Sequence, residues 1–174
     1  MWGAGPCFFE DCHATTLRNN AYFTQIRNPA ANHGYVYKNC IFDGAPGIKG
    51  NVLSRIEPGR FAASEVVLLD CILSSAVSDV AWRFDGTAPA IDSLHFWEYR
   101  SRTPGGDPVD TSKRFASSRQ LKQPEDAELI KNYGDPQWVL GGWTPQLEPI
   151  IAAQPAAPAR ASGQKAVEGS PPEK

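Results

Sequence analysis

The chain has 174 residues, enough for one domain with its own core and too few for two ordinary domains by default. Lys and Arg total 17 against 19 Asp and Glu, and the net charge of -2 offers no long-range attraction to nucleic acid or to an anionic membrane. No run approaches the roughly 18 apolar residues of a membrane-spanning helix, and the first residues lack the basic region and apolar stretch of a secretory leader.

The opening MWGAGPCFFEDCHA reads as a Gly-rich turn feeding an apolar β-segment. YFTQIR at 22–27 alternates as a strand does, while NPAANHG at 28–34 and DGAPGIKGN at 43–51 carry turn chemistry. Three segments, FFEDCHA, YVYKNCIF and VVLLDCIL, share a pattern: apolar residues, an acid or amide, Cys, then further apolar positions. Their cores are Asp11-Cys12, Asn39-Cys40 and Asp70-Cys71, which recur with a period of roughly 30 residues. One more such interval reaches Tyr99 in HFWEYRS, with Phe96 in the apolar place and Glu98 in the acid's.

A period of this length, built from short β-runs, predicts coils that bury a continuous core only by stacking on one another. The expected fold is therefore all-β, a right-handed parallel β-helix, a single-stranded solenoid. Inward side chains of successive coils would lie about 4.8 Å apart, and Cys12, Cys40 and Cys71 would form a row. QPEDAELIKNYG reads as a short helix, with Pro124 in its first turn, Glu125 and Asp126 at its positive end and Gly134 as its stop. It is expected as a cap over the last coil. From Ala152 the sequence has no aromatic residue and one β-branched one, Val167, too little apolar surface to offset its ordering entropy. The expected division is a β-helix over 1–151 and a disordered Pro/Ala-rich tail or linker over 152–174.

The cysteines, Cys7 included, form no CxxC pair, and His13, His33 and His95 are scattered singly, so no metal site and no cofactor are predicted. Four cysteines are also too few for a disulfide scaffold. The row reads as small buried hydrophobes. A Cys nucleophile is the alternative, and none of the three has a nearby His beyond His13.

The order of motifs resembles the C-terminal half of the pectinesterases, carbohydrate esterases that demethylate pectin on a right-handed parallel β-helix. WGAGPCFFEDC resembles the family stretch in which Asp-Phe-Ile-Phe-Gly precedes an apolar strand and an Asn/Asp-Cys pair, with Trp2 and Gly3 matching its last Phe and Gly. Leu53-Ser54-Arg55 resembles the family's Leu-Gly-Arg-Pro-Trp, followed by SEVVLLDC as the next strand. Val80-Ala81-Trp82 stands where the family has Gly-Trp; FWEYRSRTPGG resembles its Phe-x-Glu-Tyr and Gly-Pro-Gly, and LGGWTP its Trp-x-Pro end.

The resemblance implies ester hydrolysis without a metal. One carboxylate attacks the methyl ester, a second acts as acid and base, glutamine amides stabilise the oxyanion, and an Arg holds the nucleophile ionised. Arg55 matches that Arg, and Trp82 matches a Trp lining the sugar cleft; on residue type alone, Arg55 also reads as a solvated coil residue and Trp82 as a core aromatic. The matching nucleophilic Asp would stand three residues before Trp2, and the acid/base Asp and the glutamines earlier still. The expectation is therefore an N-terminally truncated β-helix, inactive alone. Asp11, Asp43, Glu57, Asp70 and Asp85 fall in no family motif. The Arg loop also departs from the pattern: Ser54 replaces Gly, and Ile56 and Glu57 replace Pro and Trp, with Phe61 as a partial substitute for the missing Trp.

The implied partner is pectin or a related methyl-esterified polyuronate, with no nucleic acid or membrane, and the intact parent is expected to be monomeric. The implied setting is secreted, periplasmic or cell-wall associated. The alternative is a non-catalytic polysaccharide-binding or structural β-helix, in which Arg55 and exposed aromatics hold uronate chains. A polygalacturonase or pectate lyase would need an Asp cluster or calcium site, and no Asp-rich cluster is present.

Overall fold

In the computed structural model, residues 1–85 and 93–144 are described, and they fall within one compact unit, Met1–Thr144. The tail expected over 152–174 lies outside the described residues. The described strands are arranged in coils of up to three. The first coil holds β1 (Trp2–Gly3), β2 (Cys7–Glu10) and β3 (His13–Thr16); the second holds β4 (Tyr22–Ile26), β5 (Tyr35–Lys38) and β6 (Ile41–Gly44). The third holds β7 (Val52–Ile56), β8 (Glu65–Leu69) and β9 (Ile72–Leu73), and the fourth begins with β10 (Trp82–Phe84) and β11 (His95–Tyr99). Corresponding strands pair in parallel into three sheets, ordered β1-β4-β7-β10, β2-β5-β8-β11 and β3-β6-β9. This is a parallel β-helix.

The register explains the repeat. In the second sheet Cys7, Tyr35, Val66 and Phe96 stack inward, as do Phe9, Tyr37, Leu68 and Glu98. Phe9 and Tyr37 lie face to face with centroids 4.6 Å apart. Cys12, Cys40 and Cys71 follow the same corner, all as free thiols, and the last two are buried. Burial pushes the Cys71 thiol up, as expected of an inert core residue.

The acid or amide before each Cys has a conformational reason. Asp11, Asn39 and Asp70 adopt φ of 54°, 53° and 56°, the left-handed region that Asn and Asp tolerate best among non-glycine residues. The fourth residue of this column is Arg100, φ 52°, so the fourth rung corresponds at Ser101 rather than at Tyr99, and Glu98 does not take the acid's place. Glu98 instead points into the interior. The period slips because Arg, a residue with no preference for this corner, occupies it; its Nε donates to Asp70 Oδ1 at 2.6 Å.

Segment 103–121 closes the C-terminal end. Phe115 packs edge-on against Phe84 at 4.7 Å, Ser118 Oγ donates to the Phe96 carbonyl at 2.8 Å, and Arg114 lays its guanidinium on the buried Glu98 carboxylate at 2.7 and 3.3 Å. The helix expected as the cap is present as α1 (Ala127–Tyr133), followed by one turn, α2 (Pro136–Val139). It lies on the flank of the second sheet, where Tyr133, Val139, Leu129 and Ile130 cover the outward Val36, Val67 and Leu69. Those strands are apolar on both faces, so the outer face also needs cover.

Candidate functional site

The first sheet presents Thr24, Ser54 and Trp82 inward, and its alternation turns Gln25, Arg55 and Arg83 to the other face in register. Arg55 Nε donates to Asp85 Oδ2, and Arg83 Nε reaches the other carboxylate oxygen at 3.2 Å. The Arg55 hydrogen bond holds the Asp85 carboxyl below the usual carboxylate range. The Arg55 guanidinium also lies 5.6 Å from the Tyr22 ring. Toward the next corner, Arg27 is clasped between Trp2, 4.9 Å from its centroid, and Phe61, at 4.8 Å; Arg60 lies 5.3 Å from Phe61 and pairs with Glu57 at 3.2 Å.

The outer face of this sheet is therefore a strip of guanidiniums and aromatic rings. Arg27, Arg55, Arg60 and Arg83 outnumber Glu57 and Asp85 by two positive charges, although the chain carries net charge -2. Trp2 is 69% exposed and Tyr22 40%, so both offer ring faces to a ligand. Such a strip can hold an acidic polymer: guanidiniums take carboxylates in a fork, and flat rings pack on sugar faces.

Of the two site residues expected from sequence, Arg55 stands on this strip, pointing out, with a carboxylate held against it. Trp82 does not: it is 4% exposed, its ring packs 4.7 Å from Phe96, and its Nε1 donates to Ser118 Oγ at 3.1 Å. In place of the cleft-lining role, Trp82 fills the last coil, because its strand register puts it in the inward column above Ser54. Exposed rings come from Trp2 and Tyr22 instead, with the partly buried Phe61 beside them.

Three solved structures share this architecture: a mutant pectin methylesterase in complex with hexasaccharide IV, a pectin methylesterase in complex with hexasaccharide VII, and pectin methylesterase PemA from Erwinia chrysanthemi. Their TM-scores are 0.61, 0.60 and 0.60, each at 20% sequence identity over 85% of this chain. The chain has a pectin methylesterase-like fold. It spans 48% of the length of each of these structures. No family model matches the chain, and no curated protein matches its sequence.

Asp85 lies in no motif, and from sequence nothing joins it to Arg55. The signal was the coil period itself: one turn of the solenoid carries position 55 to position 83, and Asp85 follows two residues on, on the same side of the strand. Arg27 and Arg83 were missed because they belong to no motif, and bulk charge conceals a local excess. Among the described residues no three His, Cys, Asp or Glu side chains are placed so that they could hold a metal ion.

Proposed function

We propose that this chain belongs to a pectinesterase-type hydrolase that removes methyl esters from pectin or a related polyuronate, and that the outer face of the first sheet is where the polymer lies. One observation carries the reading: Arg55 is paired with a carboxylate on a strip of guanidiniums and exposed rings, on a pectin methylesterase-like fold. In this division of labour Arg55 orients and ionises a carboxylate. On this reading the protein works where polyuronate is found, secreted, periplasmic or cell-wall associated.

A second reading, polysaccharide binding without hydrolysis, is favoured by the state of the two carboxylates on the strip. Asp85 is engaged by Arg55 and Arg83, and Glu57 by Arg60, so neither is a free proton carrier beside the other. Hydrolysis by the two-carboxylate route calls for a further carboxylate, in the position the family resemblance assigns ahead of Trp2.

Two assays separate these readings. Residues 1–174 should be retarded in native gels containing methyl-esterified pectin and not in gels containing a neutral galactan, and should release no methanol. A form lengthened by one coil that supplies the two carboxylates should release methanol, and Arg55→Ala should abolish it there. Retardation without methanol from that longer form would establish the second reading; no retardation in either would overturn both.

A further inference from the structure

A separate cluster lies at the corner between the first and second sheets, beyond the Arg27 and Phe61 end of the strip. Glu65, at the start of β8, has a side chain only 5% exposed and accepts four hydrogen bonds. Its Oε1 takes His33 Nδ1 and the Gly34 N–H, both at 3.0 Å; its Oε2 takes His95 Nδ1 at 2.9 Å and the Tyr133 hydroxyl at 2.6 Å. The corner is built for this: Asn28 Oδ1 accepts the Glu65 N–H at 2.9 Å, and Gly34 leaves room where a Cβ would meet the Glu65 carbonyl oxygen at 2.0 Å.

Burial alone raises the Glu65 carboxyl, but donation from His95, Tyr133 and Gly34 outweighs it and holds the group ionised below its usual value. A carboxylate has no proton to give, so both imidazoles must carry theirs on Nδ1. Each ring therefore has its second nitrogen, Nε2, free of Glu65. The rings are fixed as well as oriented: His33 packs on Trp138 at 4.0 Å and His95 on Trp97 at 4.1 Å. Both line a cavity of about 440 Å³ whose remaining wall includes Ala30, Ala31, Ala62 and Ala63. The size is that of a site for one small ligand.

We propose that this cavity is a second binding site, for the free carboxylate of a uronic acid residue, with the Nε2 atoms of His33 and His95 as its donors. Donation from Nε2 belongs to the doubly protonated rings, in which both nitrogens carry a proton. The cluster then holds two positive charges against the one negative charge of Glu65, and a carboxylate restores balance. Of the other charged groups on the packed elements, Lys38 is paired with Glu10 and Arg119 with Asp126, while Glu128 of α1 is exposed and Lys131 lies on its outer surface. The choice of a uronic acid rests on the polyuronate reading above. The site distinguishes the acid from its methyl ester, and so reads the product of de-esterification rather than its substrate.

The experiment is a titration of the chain, with histidine ring nitrogens ¹⁵N-labelled, using monomeric D-galacturonate, its methyl ester and galactose. At pH 5.5 galacturonate should shift the Nε2 signals of His33 and His95, and the two neutral sugars should not. Either single variant, His33→Asn or His95→Asn, should bind galacturonate about tenfold or more weakly, the contribution of one charge-assisted hydrogen bond. His33→Asn with His95→Asn keeps a donor at the Nδ1 position for Glu65 and removes both Nε2 atoms; it should fold with α1 docked and lose galacturonate binding. Arg55→Ala should leave this monomer binding unchanged. If the polyuronate reading alone is at fault, polymer will not bind the strip while galacturonate still titrates both histidines. Galacturonate binding that persists in the double Asn variant, equal shifts with galactose, or no shift at pH 5.5 would overturn the site.

Discussion

Replacing Glu65 by Gln tests the structural side of the same cluster. The Gly34 N–H cannot turn, so a glutamine must keep its oxygen at the Oε1 place, where His33 also donates. Its amide nitrogen then falls at the Oε2 place, facing two groups that now donate, His95 Nδ1 and the Tyr133 hydroxyl. The hydroxyl can rotate to accept; the imidazole cannot without giving up its proton arrangement. The substitution thus loses two charge-assisted hydrogen bonds, about 1.5–3 kcal/mol each, and recovers one neutral bond of about 1 kcal/mol, for a net loss of about 2–5 kcal/mol. Against a total of about 5–15 kcal/mol for a domain, that is a large fraction. Urea unfolding followed by tryptophan fluorescence measures it, since Trp97 and Trp138 both border the cluster. Because the carboxyl is depressed in the folded state, its contribution is fully present above the unfolded-state value near 4.3 and fades as pH falls through the lower folded value. The difference between wild type and Glu65→Gln should therefore shrink as pH falls below about 4. A difference under about 0.5 kcal/mol, the size of an ordinary surface substitution, or one that grows as pH falls below about 4, would refute the reasoning.

Other substitutions probe the ends and the core. Arg114→Ala leaves Glu98 charged and buried and should cost about 3–5 kcal/mol in thermal or urea unfolding, whereas Glu98→Leu with Arg114→Leu should recover most of the loss. Trp82→Ala should cost about 3–5 kcal/mol, and Trp82→Phe less, with the retardation of the Phe variant by pectin unchanged, because the ring packs the core and does not face the strip. Tyr133→Phe removes one donor from Glu65 and should cost about 1.5–3 kcal/mol while raising hydrogen exchange in α1 above that of the strands.

The architecture was legible because a solenoid writes its period into the chain. Asp11, Asn39 and Asp70 announce a corner that repeats, and their cysteines mark the inward position that follows it. The fourth rung was misaligned for a physical reason: Arg100 takes the same backbone shape with no side-chain preference for it, and is steadied by Asp70 one coil below rather than by its own chemistry. The helix was found from its composition, but its place was not, because sequence shows that a segment is amphipathic and not which apolar face it covers. Two faces needed cover here, the open end and the flank of the second sheet. The end went to Phe115, Ser118 and Arg114, in a segment without periodicity.

The site follows the same logic one level up. Residues that meet on a solenoid lie one coil apart, so chemistry separated by a whole period is adjacent in space while chemistry within a motif is often split between inside and outside. Val80-Ala81-Trp82 resembles a family motif, yet its Trp faces the core. Arg55 and Asp85 share no motif, and the coil brings them into contact. The Glu65 cluster shows the rule again: His33, Glu65 and His95 each stand one period from the next, each ordinary alone, and the stacking of three coils gathers them around one carboxylate. On this fold a scattered histidine is judged by what lies one period away, and by that test none of the chain's three histidines is solitary, since His13 Nε2 also lies 3.7 Å from Asp43 Oδ2.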